Sequence, residues 1–434
     1  MYHCKMEISE LYKYFLRYKN VSTDSRNLPP ECIFFALKGE HFNGNNFAAE
    51  ALEKGAALAV VDEELPVTDS RIIKTADVLQ TLQLLAAYHR KQLGITVVAI
   101  TGSNGKTTTK ELTRAVLSRK YGVFATQGNL NNHIGVPLTL LSMNKSTTIG
   151  IVEMGANHPG EIATLSEIAA PDAGLITNIG KAHLEGFGSL EGVAKAKGEL
   201  FRYLMHHNKT VFLNEGNDLL RDMVSSDYKQ VRYYNGARGI TSVKISASPF
   251  LTMEVKLENR NILLNTNLIG TYNAENVMAA CCAGLYYHVD INDIREAVES
   301  YQPVNNRSQL IQTKNNTVIM DAYNANPSSM AAAVKEFTDF AVKKKLFILG
   351  EMRELGISSE TEHELLAESL RKKGITDVIL TGMLFEKAAL NAGFRFAQNT
   401  DNLIEMMKMM KLKGYHIFIK GSRSNRLEKL LPVL

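Results

Sequence analysis

The stretch ITGSNGKTTTKELT, Ile100–Thr113, opens on the last residue of the apolar run ITVVAI and leads into a helix-length pattern. A buried strand that turns through two glycines into a helix starting Lys106-Thr107 is built to hold phosphate. Backbone amides of the turn and the helix N-terminus can surround phosphate oxygens. Lys106 can reach the terminal phosphates, and the Thr107 hydroxyl can bind Mg²⁺. Ile100 stands where the usual phosphate loop has its first glycine, so this loop is a shortened variant. The plain alternative is an ordinary strand–turn–helix with a lysine at the helix start. Convergence of Gly102, Gly105, Lys106 and two threonines behind a buried strand argues against it. The nucleotide contacts expected here are Gly102, Ser103, Asn104, Gly105, Lys106, Thr107 and Thr108.

Working outward, TTIGIVEMGA, AGLITNIG and KTVFLN repeat a strand-then-loop unit with helical patterns between them, which predicts a parallel sheet covered by helices. Further on, KLFILG, DVILTG and YHIFIKG are apolar strands that end in glycine at helix-length spacing. That rhythm is Rossmann-like, with ligands beyond the carboxyl ends of the strands. QPVNNRSQL supplies a hinge near residue 308. Before the phosphate loop, CIFFALKGE and AALAVVDEE read as short strands around the helix NNFAAEALEKGA. The fold class expected is α/β in three domains: a small N-terminal α/β unit (1–90), a central phosphate-loop ATPase-type parallel sheet (91–308) and a C-terminal Rossmann-like unit (309–434).

A chain of 434 residues with 45% hydrophobic composition is long enough for several cores. A net charge of +4, dispersed along the chain, is too mild for a dedicated nucleic-acid binder and suits an anionic small substrate. Cys4, Cys32, Cys281 and Cys282 make no C-x-x-C pair, and the adjacent pair reads as helix core. This favours a reduced, cytoplasmic setting over disulfides or zinc. No stretch has the length or apolarity of a signal peptide or membrane span, so neither membrane nor nucleic acid is expected as a partner, and monomer is the default.

Two strand ends add candidate ligands. Glu153 closes TTIGIVEMG, where a carboxylate would point into the crevice beyond the sheet, although a surface glutamate is the alternative. His183 follows the next strand by a short loop. In LEGVAKAKGELFRYLMHH, Val193, Lys197, Leu200 and Leu204 share one helical face, whereas Lys195 aligns with Glu199, Arg202 and His206. Lys197 therefore sits on an apolar stripe. Snorkelling of its stem is the simpler reading and chemical modification the sharper one.

Taken in order, TGSNGKTTTKE, VEMGANHPGEI, NIGKAHLEGFGS, AKAKGELF and GTYNAENVMAA resemble the central-domain pattern of the ATP-dependent Mur ligases of peptidoglycan synthesis, in which the shortened loop is normal. STDSRNLPPECIFFALKGEHFNGNNFA, MDAYNANPSSMAAAV, LGEMRELG and KGSRSNRLEKL narrow the resemblance to the branch that adds D-alanyl-D-alanine to UDP-N-acetylmuramoyl-tripeptide. The matches span nearly the full chain. They imply an ADP-forming amide ligase working through an acyl phosphate, with ATP and Mg²⁺ as cofactors and those two molecules as partners.

The resemblance also assigns residues. Catalysis falls to Lys106, Lys197, Glu153 and His183; Thr107 and Glu153 hold one magnesium, and His183 helps hold a second. Lys197 occupies the lysine of the A-K-x-x-L-F pattern, which implies carbamylation by CO₂ and support of a metal site. Asn273 and Asn276 match the adenine segment, and Arg307 and Asp321 match contacts to phosphate and ribose from beyond the hinge. Helix capping competes for Asn273, and structural roles compete for Arg307 and Asp321. Asp24, Ser25 and Arg26 match the uridine-nucleotide site in the N-terminal unit, although on chemistry alone they form a polar turn. Asn131 and Asn132 match the muramoyl-peptide end, with turn formation as the alternative; His133 receives no role. Asn324, Asn326, Glu351 and Lys420 match the dipeptide pocket between the central and C-terminal units. Two other functions compete: another carboxylate–amine ligase such as a folylpolyglutamate synthetase, and a nucleotide switch without ligation chemistry.

Overall fold

The structure is a computed structural model that describes residues 6–304 and 306–434; Cys4 lies outside the described residues. The run ITVVAI becomes the strand Thr96–Thr101, and its neighbours explain its composition. Val97 and Ala99 enter one hydrophobic core while Val98 and Ile100 enter another on the opposite face. A strand covered on both faces reads as a continuous apolar run instead of an alternating one. The same holds for Lys345–Gly350, where Phe347 and Leu349 face one core and Leu346 and Ile348 face another.

The central sheet has six strands in the order Val231–Tyr234, Thr210–Asn214, Ala173–Ile176, Thr96–Thr101, Ile149–Glu153, Val123–Ala125, and every pairing is parallel. The C-terminal sheet also has six strands: Gln309–Gln312, Thr317–Asp321, His416–Lys420, Lys345–Gly350, Val378–Thr381, Arg395–Ala397. Its first pairing is antiparallel and the rest are parallel. A four-stranded parallel sheet forms the N-terminal unit. The three expected α/β units are present in chain order.

Between the last central strand and the helix Ala274–Tyr286, an antiparallel three-stranded sheet spans Thr241–Ala247, Phe250–Leu257 and Arg260–Ile269. It lies outside the strand-then-loop units that the sequence predicts. Alternation in FLTMEVKL is its signal: Leu251, Met253, Val255 and Leu257 join the core around Val277 and Met278, while Thr252, Glu254 and Lys256 alternate onto the other face. Cys281 and Cys282 are buried in the helix Ala274–Tyr286, as expected, and burial pushes both thiols up to about 12.

The 90/91 boundary falls inside the helix Val78–Leu93, capped by the Asp77 side chain on Gln80 N–H and ended by Gly94 in the left-handed conformation. This helix serves both units. His89 is buried; its Nδ1 lies 3.1 Å from the Tyr12 hydroxyl and its Nε2 lies 2.9 Å from Met143 O.

Candidate active site

The phosphate loop depends on two glycines. At Gly102, φ is +141° and a Cβ would lie 2.0 Å from Thr177 Oγ1; at Gly105, φ is +79° and a Cβ would lie 2.6 Å from Asn276 Oδ1. The loop is held from the neighbouring strand end: Asn104 N–H donates to Asn178 Oδ1 (3.0 Å), Thr177 Oγ1 donates to Asn104 O (2.6 Å), and Ser103 Oγ pairs with Gly180. Gly105 caps the helix Lys106–Leu117, leaving its first amides directed at the cleft. Lys106 Nζ folds back on Gly102 O (2.7 Å) and Ser103 O (3.3 Å), both groups of its own loop. Loss of surrounding water pushes its amine below the ordinary lysine value, with Glu153 opposing the shift.

Glu153 is 2% exposed, not at the surface. Its carboxylate accepts from Thr107 Oγ1 (2.9 Å) and Asn131 Nδ2 (2.8 Å). A hydroxyl and a carboxylate in contact are oxygen donors of the kind Mg²⁺ takes. Thr107 and Glu153 supply these two donors, and no group of three His, Cys, Asp or Glu side chains that could hold a metal occurs among the described residues. The donor set therefore fits a cation that arrives with phosphates and keeps waters.

A cleft of about 730 Å³ brings most expected residues together. Ser103 to Thr108, Asn131, Asn132, Glu153, His183, Asn273 and Asn276 line it from the central unit; Arg307, Asp321, Asn324 and Lys420 line it from the hinge and the C-terminal sheet. Lys420 Nζ lies 2.6 Å from Asp321 Oδ2 and 3.2 Å from Asn324 O. The Arg307 guanidinium stacks 3.8 Å from the centroid of the Tyr323 ring. Asn273 is not a side-chain cap: it donates to Ile269 O and accepts from Asn276, whose own Oδ1 accepts from Thr109 Oγ1. Asn132 is the turn former of its pair, accepting from Ile134 and Gly135 N–H, whereas Asn131 reaches Glu153.

Other expected residues lie outside the lining. Asp24, Ser25 and Arg26 form a surface turn of the N-terminal unit, where hydrogen bonds from Arg26 hold the Asp24 carboxyl down at about 2. Glu351 is buried at 3% exposure behind the cleft, accepting from Leu384 N–H and paired with Arg353. Asn326 caps the helix Pro327–Asp339 in a capping box, and its Nδ2 donates to Asn104 Oδ1 across the domain junction (2.8 Å).

Lys197 corrects the snorkelling reading. Its side chain is 1% exposed and its Nζ donates inward to Ala156 O (3.2 Å), with the Phe187 ring 5.3 Å away. The stem lies among buried residues, Val193, Ala196, Leu200 and Phe201, where the helices Leu190–Lys197 and Glu199–His206 meet. Burial, and then Lys106, push the amine down to about 7.

Several lining groups escaped the sequence reading. Asn178, in AGLITNIG, was visible as a polar strand end. Tyr272, Tyr323 and Glu354 were not, because their roles depend on the C-terminal unit meeting the central one. Tyr272 Oη pairs with Ser308 Oγ (2.9 Å), and His183 Nδ1 lies 2.5 Å from Glu354 Oε2, a contact that lowers the Glu354 carboxyl. Lys181 adds two links across the same junction, its N–H to Ser328 Oγ (2.9 Å) and its Nζ to Glu362 (2.6 Å). His133, given no role, also lines the cleft.

Fold and site together define a phosphate-loop nucleotide-binding protein whose ligand cleft is shared by two α/β domains. Family models match along the chain: Mur ligase catalytic domain at 17–98, Mur ligase middle domain at 100–284, and Mur ligase glutamate ligase domain at 306–423. The chain belongs to the Mur ligase family. It is 36% identical to the UDP-N-acetylmuramoyl-tripeptide--D-alanyl-D-alanine ligase of Escherichia coli (strain K12), over 95% of this chain and 93% of that one. Among solved structures it resembles MurF from Acinetobacter baumannii (TM-score 0.88, 31% identity, 96% of this chain and 93% of that one). It also resembles the MurF ligase of Thermotoga maritima in complex with ADP (TM-score 0.84, 28% identity, 96% and 97%).

Proposed function

We propose that this protein is an ATP-dependent, ADP-forming ligase that joins D-alanyl-D-alanine to UDP-N-acetylmuramoyl-tripeptide. The observation that carries the reading is the shared cleft: the phosphate loop forms one wall and the Asp321–Lys420 pair stands on the other. ATP transfers its terminal phosphoryl group to the tripeptide carboxylate, giving an acyl phosphate and ADP. The dipeptide amine attacks that carbonyl, loses a proton, and expels phosphate from the tetrahedral intermediate.

All the reacting partners except the amine are anionic, so the chain's work is charge neutralisation and positioning. Lys106 leaves its own loop carbonyls for the terminal phosphates. Thr107 and Glu153 would hold a magnesium ion and His183 a second, which when bound neutralise charge on phosphate oxygens. Asn273 and Asn276 face adenine, and Arg307 and Asp321 take the phosphates and ribose. Asn131 and Asn132 lie at the muramoyl-peptide end, and Asn324 and Lys420 at the dipeptide. The Asp24–Arg26 turn takes the uridine nucleotide. Asn326 and Glu351 act from behind the cleft wall. The links at Asn104–Asn326 and Lys181–Ser328 support closure of the C-terminal domain, which excludes water from the acyl phosphate.

Carbamylation of Lys197 belongs to the same reading. An amine pushed down to about 7 is largely neutral just above neutrality, so it can attack CO₂ and release a proton. Carbamate formation should rise as pH passes upward through about 7 and vanish well below it. A ¹³C spectrum of protein equilibrated with ¹³C-bicarbonate that lacks a carbamate signal at every pH would remove this part. A monomer working in the cytoplasm completes the picture; among the described residues no helix is long and apolar enough to cross a membrane, and light scattering tests the monomer.

Phosphate release from ATP tests the whole. It should require both the nucleotide-tripeptide and D-alanyl-D-alanine and yield a peptide-lengthened nucleotide. Hydrolysis indifferent to both would point instead to a switch.

A further inference from the structure

Lys110 stands one helical turn beyond Thr107 on the phosphate-loop helix, and its side chain is 1% exposed. Its Nζ donates to Thr126 O (2.6 Å) and lies 3.0 Å from Glu111 Oε1 and 3.9 Å from Glu153 Oε2. Among the described residues it is the one ion-pair partner of Glu153. Thr126 closes the arrangement: its Oγ1 accepts from Glu153 N–H (3.0 Å), and it opens the loop that carries Asn131 back to the same carboxylate. One ammonium group thus ties the nucleotide helix, the buried acid and the root of the substrate loop.

The charges make this tie consequential. Thr107 and Asn131 give Glu153 hydrogen bonds but no positive charge, and Lys106, the other cation that acts on it, has its Nζ bound to its own loop carbonyls. A buried carboxylate without a nearby cation is expensive and turns toward water or another donor where it can. We propose that Lys110 is a positioning residue for this ligase. It offsets the charge of Glu153 and, through Thr126, keeps that carboxylate against the Thr107 hydroxyl, so that a divalent cation carried by the nucleotide meets an oxygen pair already in place. The proposal rests on the ligase reading above.

The test compares calorimetric binding of Mn²⁺·ADP with binding of ADP in EDTA, using the full chain and the variants K110Q and K110Q/E111Q. K110Q leaves two neighbouring carboxylates without their shared cation and strains folding. The double variant removes the Lys110–Glu111 pair as a neutral unit, so it decides the matter if K110Q does not fold. In both variants Mn²⁺·ADP affinity should fall about tenfold or more while affinity in EDTA moves by less than about threefold. If Lys110 serves only to neutralise Glu111, the double variant binds Mn²⁺·ADP like the natural chain and the proposal fails. Equal losses with and without metal also overturn it, because a disturbed loop lowers both. A natural chain that binds ADP in neither condition breaks the ligase reading instead.

Discussion

Two six-stranded sheets send strand ends into one cleft, and they finish those strands differently. In the central sheet, Thr96–Thr101 runs into an open turn whose glycines leave room beside Thr177 and Asn276. In the C-terminal sheet, Lys345–Gly350 runs into Glu351, whose carboxylate sits where a Cβ on Gly382 would come within 2.5 Å of it. The backbone plan is similar; the occupant of the strand-end crevice is not. An open turn backed by a lysine is suited to receive phosphate. A crevice filled by a carboxylate fixes its own loops, while Asp321, Asn324 and Lys420 line the cleft. Parallel-sheet architecture locates a crevice, and side chains decide what enters it.

The comparison breaks most readily at Lys106. Replacing it by methionine should lower kcat for coupled phosphate release by about 10²–10³-fold with the fold intact, the scale typical of losing one preorganised charge. An unchanged kcat would remove the central loop from the chemistry. Glu351 should behave in the opposite way. Glu351→Gln costs roughly 1–3 kcal/mol of stability, read as a lower Tm, because Leu384 N–H and the Arg353 pair lose their carboxylate. A kcat/KM loss for the dipeptide beyond about tenfold with no change in Tm would put Glu351 among the groups that touch substrate.

The junction between the sheets gives smaller effects. Asn326→Ala removes a capping box and the bond to Asn104, costing about 1 kcal/mol and raising KM for the dipeptide. Small-angle scattering of this variant with ATP analogue should report a more open particle than the natural chain, and identical profiles would deny the junction its part in closure. Glu354→Gln comes last. Its partner contact with His183 is partly exposed, so roughly 0–1 kcal/mol is expected. A larger loss would show that the pair clamps the domains.

Legibility in the sequence followed the range over which each signal acts. The phosphate loop was readable because strand, glycines, lysine and threonine are contiguous, and Glu153 because its strand is apolar to the last residue. Lys197 was half readable: helical phase set it on an apolar stripe, but phase cannot say whether a long stem escapes to water. Lys110 was not singled out, since in TTTKELT it looks like any solvated helix lysine and its burial depends on Thr126 and Glu153 arriving from other strands. The antiparallel sheet Thr241–Ile269 is marked by alternation and not by the continuous apolar runs of the parallel strands, and its apolar face is covered by the helix Ala274–Tyr286.

By itself the sequence determined the order of the α/β units, the phosphate-loop turn and the chemistry available at the strand ends, because hydrophobic period, glycine conformation and residue type are local properties. The tertiary structure alone decided which of those groups meet. Asn326 reaches Asn104, Glu354 reaches His183, and Lys420 turns to Asp321 while Glu351 withdraws behind it. These pairings follow from two sheets closing on one cleft, where burial and charge balance act between residues far apart in the chain.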